Sequence, residues 1–442
     1  MKLSLSRDHN PNYVAKVVKI KEIKPIKGAD KIVQVIVDGF SVVVSNTTKV
    51  GDVFVFCPVE SVLNDYILRQ NNLYSDMYLN QNYADLTEEE ALDPDLELPT
   101  GFFNKYGRVK PINLRKTPSQ GFLASPEMFK CINGGVTPDL SDQIGTSFDS
   151  IGGVPFIWKY VPANIKVSED GSGRKKRVND KFSFHYNTAV LNRNLHKLVI
   201  NNYVNITTKV HGTSAVFGHY NETKGLINRI KRLFGFKPTS YVYSSMKVIR
   251  HPNHNSLWSK VGNAIKDSIE VDTTVYGEII GFHNGGYIQK DYDYGCLQSG
   301  GCIFMPYRVV KHEDGGDREL TVTEVIDFTE SLVSVDNDVT VDSLDVLFSA
   351  TMLELLDRYK IDFTNREDDS YWQDELLEAL KNDKEFRMEM TEPLCRNKVP
   401  REGIVFRFTS DGIPEAFKLK CQSFYLYETK QLDMGDGGEL DE

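Results

Sequence analysis

The sequence predicts two domains, a small all-β barrel followed by an α+β domain. The chain has 442 residues, about twice the length at which a single hydrophobic core stops growing. Short runs rich in Val, Ile and Phe fill the N-terminal part, whereas strand-like and helix-like patterns alternate after residue 183. With 40% hydrophobic and 26% charged residues, the composition is that of a globular protein.

The N-terminal strands lie between Tyr13 and Val62 and follow one another at short intervals. They read AKVVKIKEIKPI, KIVQVIV, FSVVVS and DVFVFCPV, and glycines separate them. Strands at this spacing predict a small barrel, and the OB-fold is a barrel suited to binding nucleic acid. Residues 64–100 are polar and predict a helix or loop inserted into that barrel. We therefore predict an OB-type domain over residues 1–165.

A linker is predicted over residues 166–182, because the surrounding segment VPANIKVSEDGSGRKKRVNDKF combines Pro, Gly, Ser and bases without periodicity. The second domain is predicted to span residues 183–442. Its patterns predict helices over 225–234 and 343–359, and an acidic helical insert over 371–390.

The net charge of −10 is unevenly distributed along the chain. Residues 362–396 carry a net charge of −6 and residues 432–442 a net charge of −5, so the rest of the chain sums to +1. The acidity therefore belongs to one insert and one tail, and the remaining surface is free to bind a polyanion.

The sequence predicts a soluble protein of the cytoplasm with no membrane partner. No apolar run approaches the roughly 18–20 residues that a membrane helix needs, and the N-terminus MKLSLSRDHNPNY lacks the apolar stretch of a signal peptide. The six cysteines are scattered without a C-x-x-C pair, which indicates reduced thiols.

Four bases are interleaved with apolar residues in the strand-like segment GRVKPINLRKTPSQGF near the end of the first domain. They are Arg108, Lys110, Arg115 and Lys116. Such bases form either a solvated strand face or a set of contacts to nucleic acid.

Four short charged segments in the second domain each lie beside an apolar run. They are VNITTKVHGTSAVFG with Lys209, VDTTVYGEIIGF with Glu278, REGIVFRF with Glu402, and EAFKLKCQSF with Lys418 and Lys420. Residues two apart lie on one face of a strand, so the last two lysines share a face. Neither a P-loop nor a Gly-x-Gly-x-x-Gly after a strand occurs, so nothing indicates the common nucleotide-binding loops.

The order Lys-x-x-Gly, Tyr-Gly-Glu, Glu-Gly-Ile-Val-Phe-Arg and Lys-x-Lys resembles motifs I, III, IV and V of covalent nucleotidyltransferases. The chain is most similar to ATP-dependent RNA ligases with an N-terminal OB domain and a C-terminal nucleotidyltransferase domain. This resemblance implies that RNA 5′-phosphate and 3′-hydroxyl ends are joined through lysyl-AMP and an adenylylated 5′-end. It also implies ATP and Mg²⁺ or Mn²⁺ as cofactors, nicked duplex RNA as substrate, a monomeric enzyme, and RNA repair, in the host cytoplasm if the source is viral.

The resemblance assigns the catalytic roles residue by residue. Lys209 is the nucleophile that captures AMP, and its amine must lose a proton before it can attack. Lys418 and Lys420 supply positive charge beside the α-phosphate. Glu402 is the first carboxylate expected to hold the metal ion. Glu278 either assists with that metal or accepts the ribose hydroxyls.

The resemblance assigns further nucleotide contacts to Thr208, Gly212, Phe304 and Lys247. Phe304 would stack on the adenine, with Tyr307 as the alternative. The residue that contacts polynucleotide or phosphate after the serines of YVYSSMKVIR is either Lys247 or Arg250. These alternatives are open at the level of the sequence.

Two positions depart from the pattern, and three other functions compete. DNA ligases have an acidic residue two positions after the nucleophile, where this chain has His211, and a neutral imidazole does not attract metal-bound waters as a carboxylate does. Ligases often have an arginine after the serine, where this chain has Met246 followed by Lys247. A DNA ligase or an mRNA guanylyltransferase carries an OB domain after Lys-x-Lys, but only 22 residues follow Lys420 here. An inactive RNA-binding module is the alternative outside enzymes, and the presence of all five charged motif residues is evidence against it.

Overall fold

A computed structural model shows the chain as two compact units, Met1–Val161 and Pro162–Glu442. The structure describes residues 1–93, 96–162, 179–185, 188–222, 226–253, 255–297, 300–363, 370–410 and 413–434. Most of the predicted linker, part of the acidic insert and most of the acidic tail lie outside the described residues. Each unit is described here by itself.

The first unit contains short strands and short helices. Its strands are β1 (Leu3–Ser4), β2 (Ala15–Lys19), β3 (Ile23–Pro25), β4 (Ile32–Val37), β5 (Phe40–Ser45), β6 (Val53–Pro58), β7 (Ser61–Leu63), β8 (Ile112–Leu114), β9 (Thr117–Ser119), β10 (Gly121–Ala124), β11 (Ser147–Phe148), β12 (Ser150–Ile151), β13 (Val154–Pro155) and β14 (Ile157–Lys159). Its helices are α1 (Asp65–Gln70), α2 (Gln81–Ala84) and α3 (Glu88–Ala91), with 3₁₀ turns at Met77–Leu79, Pro126–Ile132 and Ser141–Gln143.

The N-terminal strands of this unit confirm the predicted all-β pattern. Strands β10, β6, β2 and β11 form one sheet, and β3, β4 and β5 form another. A two-residue turn of Asp38 and Gly39 joins β4 to β5, and both residues have positive φ. Asp-Gly is favoured at such hairpin turns because both positions need left-handed backbone. The segment over 64–100 contributes α1 to α3, as predicted.

The second unit mixes longer strands with helices. Its strands are β15 (Ala189–Val190), β16 (Tyr203–Lys209), β17 (Thr213–Asn221), β18 (Thr239–Ser244), β19 (Ile249–Arg250), β20 (Thr273–His283), β21 (Gly286–Tyr287), β22 (Cys302–Glu313), β23 (Gly316–Glu319), β24 (Val339–Val341), β25 (Val346–Thr351), β26 (Gly403–Ser410) and β27 (Ile413–Lys420). Its helices are α4 (Leu226–Leu233), α5 (Leu257–Ile265), α6 (Val322–Ser331), α7 (Met352–Arg358), α8 (Ser370–Lys381) and α9 (Gln422–Met434), with 3₁₀ turns at Leu191–Arg193, Leu195–Lys197 and Lys266–Ser268.

These strands form two sheets that two short connections join. The first sheet has the order β15-β27-β26-β16-β25, and the second has β19-β18-β17-β20-β22-β23, with β21 on β20 and β24 on β22. The chain passes between the sheets at residues 210–212 and again at 342–345. A backbone hydrogen bond ties the second connection to the end of β16, because the N–H of Thr208 donates to the carbonyl of Asp345 at 3.0 Å.

Each sheet buries its own hydrophobic core. Helices α7, α8 and α9 cover the first sheet, and the core between them includes Ile404, Phe406, Leu355, Leu356, Trp372, Leu376 and Phe424. Helices α5 and α6 cover the second sheet with Phe217, Val275, Trp258, Val261, Val325 and Phe328. Burial of large apolar side chains on this scale is the main source of stability of the unit.

One of the predicted helices is confirmed, and two are partly wrong. The prediction over 225–234 corresponds to α4, whereas the helix predicted over 371–390 ends at Lys381, the last residue of α8. The prediction over 343–359 is correct only from Met352, because Val346–Thr351 pairs with β16 as strand β25. The capping box of Thr351 and Glu354 marks the true start of α7.

A helix that spans a bilayer needs about 20 apolar residues. Within the described ranges, none of the helices qualifies.

Candidate active site

Three of the four predicted motif segments meet where β16 ends. The strand register places Lys209 opposite Gly403 of β26, and Gly403 opposite Lys420 of β27. Gly403 has a φ of +150°, and a Cβ atom there would overlap the carbonyl of Leu419. Only glycine permits this close approach of the two strands, so the sequence Glu-Gly is required where β26 begins.

Glu402 is the common anion of this cluster. Its side chain is 5% exposed, and its Oε1 lies 2.9 Å from the Nζ of Lys209 and 3.5 Å from the Nζ of Lys420. The other carboxylate oxygen lies 3.6 Å from Nδ1 of His211. Burial alone would raise the pKa of Glu402, but the charges of Lys209 and Lys420 outweigh it and hold the pKa well below its usual range.

The same ion pair controls the protonation of Lys209. Burial of the amine by itself lowers the pKa of Lys209, but the carboxylates of Glu402 and Glu278 have the larger combined effect, and the pKa is raised. Lys209 is therefore held as a cation in the protein without nucleotide. An incoming polyanion that competes with Glu402 for the positive charge of the cluster changes the pKa of Lys209.

Lys420 has a second carboxylate partner that the motifs do not contain. Its Nζ lies 3.0 and 3.1 Å from the two carboxylate oxygens of Glu428, which lies on α9. The same amine lies 4.9 Å from the centre of the Phe424 ring, within the range of a cation–π contact. Glu428 follows the Lys-x-Lys strand by eight residues, and only the docking of α9 brings it to Lys420.

A pocket opens beside Lys209, between the two sheets. It is lined by His185, Thr188, Thr208, Lys209, Val210, Ser214, Met246, Glu278, Tyr307, Leu344, Val405, Arg407 and Lys418. Four of the predicted site residues, Thr208, Lys209, Glu278 and Lys418, therefore share one pocket. Glu278 comes from β20 of the second sheet, and the hydroxyl of Ser214 donates to its carboxylate at 3.4 Å.

Of the two aromatic candidates, Tyr307 lines the pocket and Phe304 does not. Phe304 is fully buried in the core of the second sheet, edge-to-face with Phe217 at 5.0 Å between ring centres. The pairing of β20 with β22 shifts its register at Tyr307, because Tyr276 opposes Arg308 but Gly277 opposes Pro306. Tyr307 is the extra residue of this bulge, and a bulge re-aims the side chain it carries. The structure therefore corrects the assignment of adenine stacking to Phe304.

Two further residues of the pocket were missed from the sequence. Arg407 lies two positions after Val405 on β26, so both face the pocket. His185 precedes the second sheet, and its ring lies edge-on to Tyr307 with 5.6 Å between ring centres. Burial, followed by the charges of Arg308 and Lys209, lowers the pKa of His185 to about 3, so its imidazole is neutral.

Gly212 lies in the first connection between the sheets and is not part of the pocket lining. A Cβ atom there would lie 2.5 Å from the carbonyl of Ile279 and 2.8 Å from Cγ of Glu278. The glycine predicted as a nucleotide contact thus serves to let this connection pass close to β20. The structure supports a spatial role rather than a binding one.

The connection is fastened by side chains of the segment after β21. The hydroxyl of Tyr294 accepts from the N–H of His211 at 3.0 Å and donates to the carbonyl of the same residue at 2.9 Å. The amide of Gln289 donates to the carbonyl of Gly212. The ring of Tyr292 packs edge-on against His211 at 4.7 Å. These contacts fix the backbone two and three residues beyond Lys209.

Thr208 is tied to the acidic insert through Arg401. This arginine is 1% exposed; its guanidinium donates to the hydroxyl of Thr208 and to the carbonyl of Phe386, both at 2.7 Å. Burial lowers the pKa of Arg401, and the charge of Glu392 opposes that shift. The insert therefore reaches the residue that precedes the nucleophile.

Neither candidate in the segment after β18 lines the pocket. Lys247 is exposed, in a tight turn closed by the N–H of Ser245 on the carbonyl of Val248. The guanidinium of Arg250 lies 4.8 Å from the ring of Trp258. Met246, which lies between the two serines and Lys247 in the sequence, lines the pocket instead.

In the first unit, the four predicted RNA-binding bases separate into two kinds. Arg108 is 2% exposed, its Nε donates to Glu60 at 2.8 Å, and its guanidinium lies 4.5 Å from the ring of Tyr160. A buried and paired arginine cannot contact a phosphate, so the prediction of Arg108 as an RNA-binding residue is wrong. Arg115 and Lys116 form the exposed turn between β8 and β9, both with positive φ. Lys110 is half-buried.

Comparison with known proteins agrees with this arrangement. Residues 202–420 match the family model described as RNA ligase, and residues 14–86 match a model described as an OB-fold domain. No curated protein sequence matches the chain.

Solved structures of Naegleria gruberi RNA ligase share the fold. A lysine-to-alanine variant with ATP and Mn has a TM-score of 0.55 at 18% identity, covering 94% of this chain and 98% of that one. The complex with PPi has a TM-score of 0.53 at 18% identity, with coverage of 94% and 98%. A variant with AMP and Mn has a TM-score of 0.53 at 18% identity, with coverage of 93% and 97%.

Fold and site define an OB-fold domain followed along the chain by a ligase-type nucleotidyltransferase domain, as the sequence predicted. Over residues 202–420 the second unit is an RNA ligase domain.

Proposed function

We propose that this RNA ligase is ATP-dependent and that Lys209 carries AMP as a covalent intermediate. The observation that supports this most directly is the position of Lys209 at the pocket between the two sheets, paired with Glu402 at 2.9 Å. The Naegleria gruberi ligase, which shares the fold, is described with ATP, AMP and PPi. These are the substrate and the two fragments of a nucleotidyl transfer.

Three transfers at one site account for the reaction. The amine of Lys209 gives up a proton, forms a P–N bond to the α-phosphate of ATP, and pyrophosphate leaves with the electrons of the broken P–O bond. An oxygen of the RNA 5′-phosphate then displaces the lysine and forms a pyrophosphate linkage to AMP. A 3′-hydroxyl finally attacks the RNA 5′-phosphate, loses its proton, and expels AMP.

Several residues of the pocket fit the charge that develops in these steps. Lys418 and Lys420 lie on the same face of β27, with Lys418 in the pocket and Lys420 beside Glu402. Fixed cations near the α-phosphate stabilise the extra negative charge of the transition state without reorganisation. Tyr307 offers a ring for the base, and Glu278 offers a carboxylate for the ribose hydroxyls.

The carboxylates of the site fit a hard divalent cation only together with nucleotide. Among the described residues, no cluster of three Glu, Asp, His or Cys side chains could hold a metal ion by itself. Magnesium is commonly held by one or two carboxylates together with phosphate oxygens and waters, and Glu402 and Glu278 are the residues that would supply them. When bound, such a cation neutralises charge on the phosphates.

The finer aspects of the function rest on the family resemblance. We propose a nicked duplex with 5′-phosphate and 3′-hydroxyl ends as the substrate, a monomeric enzyme, a cytoplasmic location and a role in RNA repair. Sealing of a nicked duplex in competition with single-stranded RNA tests the substrate, and light scattering tests the monomer.

Incubation of the protein with α-labelled ATP and magnesium is the decisive experiment. We expect a labelled protein whose label is lost in acid and retained in base, as a phosphoramidate requires. Lys209→Ala should abolish the label, and Lys197→Ala, which removes a lysine paired with Glu415 away from the pocket, should keep it. Absence of a label with the folded protein would indicate an inactive RNA-binding module, and a preference for GTP would indicate capping.

A further inference from the structure

A basic helical arm, residues 226–237, lies between β17 and β18 of the second sheet. Its helix α4 ends at Leu233, which is 85% exposed, and is followed by Phe234 at 76% and Phe236 at 66% exposure. Side chains this apolar and this exposed in one short segment mark an interaction site. The arm belongs to none of the nucleotidyltransferase motifs.

A glycine separates the two phenylalanines at the tip of the arm. Gly235 lies between them with a φ of +82°, and the N–H of Phe236 donates to the carbonyl of Lys231 at 3.0 Å. This is a Schellman cap, in which a glycine in the left-handed conformation ends the helix. In such caps an apolar residue after the glycine usually packs back on the last turn. Here Phe236 instead stays two-thirds exposed, because its counterpart in the helix is Lys231.

The arm carries charge of one sign. Residues 226–237, LINRIKRLFGFK, contain four Lys or Arg and no Asp or Glu, in a chain whose net charge is −10. Lys231 and Lys237 are exposed on either side of the two rings. Exposed aromatic rings interleaved with bases are the combination that binds single-stranded nucleic acid, in which the rings stack on bases and the cations contact phosphates.

The hairpin that carries the arm begins at the candidate active site. Ser214, near the start of β17, lines the pocket, and β17 runs from there to Asn221. Seven residue steps of a strand cover about 23 Å, so the arm lies several nucleotides away from Lys209 along a bound strand. That placement suits a strand whose end is being joined.

We propose that the tip of the arm, defined by Lys231, Phe234, Phe236 and Lys237, binds an unpaired stretch of the RNA substrate, outside the nicked duplex, by stacking bases on the two phenylalanines. This inference rests on the proposed function, because the stretch belongs to the RNA that the ligase joins. A membrane surface is the competing occupant, because α4 is amphipathic and exposes Ile230 and Leu233, as membrane-surface helices do. RNA fits better, since α4 has only two turns and the two exposed aromatic rings lie beyond its end.

The test measures the affinity of the full-length protein for a 5′-phosphorylated single-stranded RNA without ATP, by fluorescence anisotropy. The double variant Phe234→Ala with Phe236→Ala should weaken binding at least fivefold, because each stacked base contributes that much or more. Phe234→Tyr with Phe236→Tyr should restore binding, whereas Phe234→Leu with Phe236→Leu should not. Val333→Ser with Val335→Ser, a matched exposed apolar pair, should leave binding unchanged.

Two further measurements separate this inference from the proposed function. The alanine variant should form lysyl-AMP at the wild-type rate, and it should bind a non-hydrolysable ATP analogue as the wild type does, because the tip of the arm is not among the residues that line the pocket. If lysyl-AMP never forms, the proposed function fails while the binding result still stands.

Three results would overturn the inference. The first is an unchanged RNA affinity in the alanine variant. The second is full rescue by leucine, which would indicate an apolar contact without base stacking. The third is binding to phosphatidylserine vesicles that depends on both rings while RNA binding does not.

Discussion

The Nζ of Lys209 and the Nζ of Lys420 approach the same oxygen of Glu402, at 2.9 and 3.5 Å. One carboxylate thus organises two cations that belong to different strands. The arrangement holds both amines beside one carboxylate, and Lys209 of the pair lines the pocket. It also keeps Lys209 protonated, since the pKa of that amine is raised.

Glu402→Gln should therefore have two effects that oppose each other. Adduct formation near neutral pH should fall at least tenfold, because the cluster loses the anion that positions its cations. At the same time the pKa of Lys209 should fall, since the charge of Glu402 no longer raises it. The rising limb of the pH–rate profile should move to lower pH.

The measurement is single-turnover labelling with α-labelled ATP between about pH 6 and 10. Glu415→Gln is the control, because Glu415 pairs with Lys197 on the same sheet. A profile of Glu402→Gln that moves to higher pH would contradict this reading of the ion pair.

Glu428→Gln tests the partner that α9 supplies to Lys420. The amide keeps the size of the side chain and removes the charge, so the two contacts at 3.0 and 3.1 Å lose most of their strength. We expect adenylylation to slow by about three- to tenfold with little change in KM for ATP, because the contact serves geometry and not ground-state binding. Glu428→Asp should recover part of the rate. A larger effect on KM than on kcat would show that Glu428 acts on ATP binding instead.

Arg401→Met should destabilise the second unit by about 2–4 kcal/mol, because it leaves the buried carbonyl of Phe386 without its donor and removes a buried positive charge that interacts with Glu392. Thr208→Val removes only one of the hydrogen bonds of Arg401 and should cost about 1 kcal/mol. Urea unfolding of the full-length protein provides the measurement. Arg358→Met is the control, since its ion pairs with Asp383 and Glu385 are partly exposed and should contribute at most about 1 kcal/mol. Equal losses for both arginines would argue against the buried link.

The exposed basic turn between β8 and β9 should matter for sealing and not for adenylylation. Arg115→Glu with Lys116→Glu should reduce ligation and flatten its dependence on log[salt] by about one to two units, because phosphate contacts release counterions. The label from α-labelled ATP should be unchanged. Lys27→Glu with Lys31→Glu makes the same change of charge in exposed positions of the same unit. An equal loss in that variant would indicate a general effect of net charge.

His185 should act as a neutral group throughout the physiological range. Its pKa is lowered to about 3, so the imidazole gains a proton only well below the usual range of histidine. Affinity for a non-hydrolysable ATP analogue should therefore show the same pH dependence in the wild type and in His185→Gln between about pH 5.5 and 8. If binding to the wild type tightened below about pH 6.5 and binding to His185→Gln did not, the imidazole would be charged in the pocket.

The sequence predicted the site best where function depends on strand ends. Lys209 and Lys420 each end a strand, and Glu402 immediately precedes one. Their motifs and the order of these motifs along the chain were enough to predict that the three residues share a site. Tyr307 was only an alternative, because the bulge that turns it into the pocket arises from the pairing of two strands. Glu428 was not found at all, since its distance from Lys420 in space depends on how α9 docks.

Arg108 shows a different limit of sequence reasoning. Its alternation with apolar neighbours is typical of an exposed basic face. Arg108 is instead buried and paired with Glu60, which is 48 positions earlier in the chain. A local pattern cannot reveal a partner that only the tertiary fold supplies.

The two connections between the sheets of the second unit constrain how the enzyme can move. Connections of three and four residues span at most about 11–14 Å, and the second is tied to the end of β16 by the hydrogen bond from Thr208 to Asp345. They therefore limit how far the two sheets can separate. Lys209 ends one strand of the first sheet and Glu402 precedes another, whereas Glu278 lies on the second sheet. A change in the angle between the sheets would therefore alter the gap between Lys418 and Glu278 across the pocket and leave the pair of Lys209 and Glu402 unchanged.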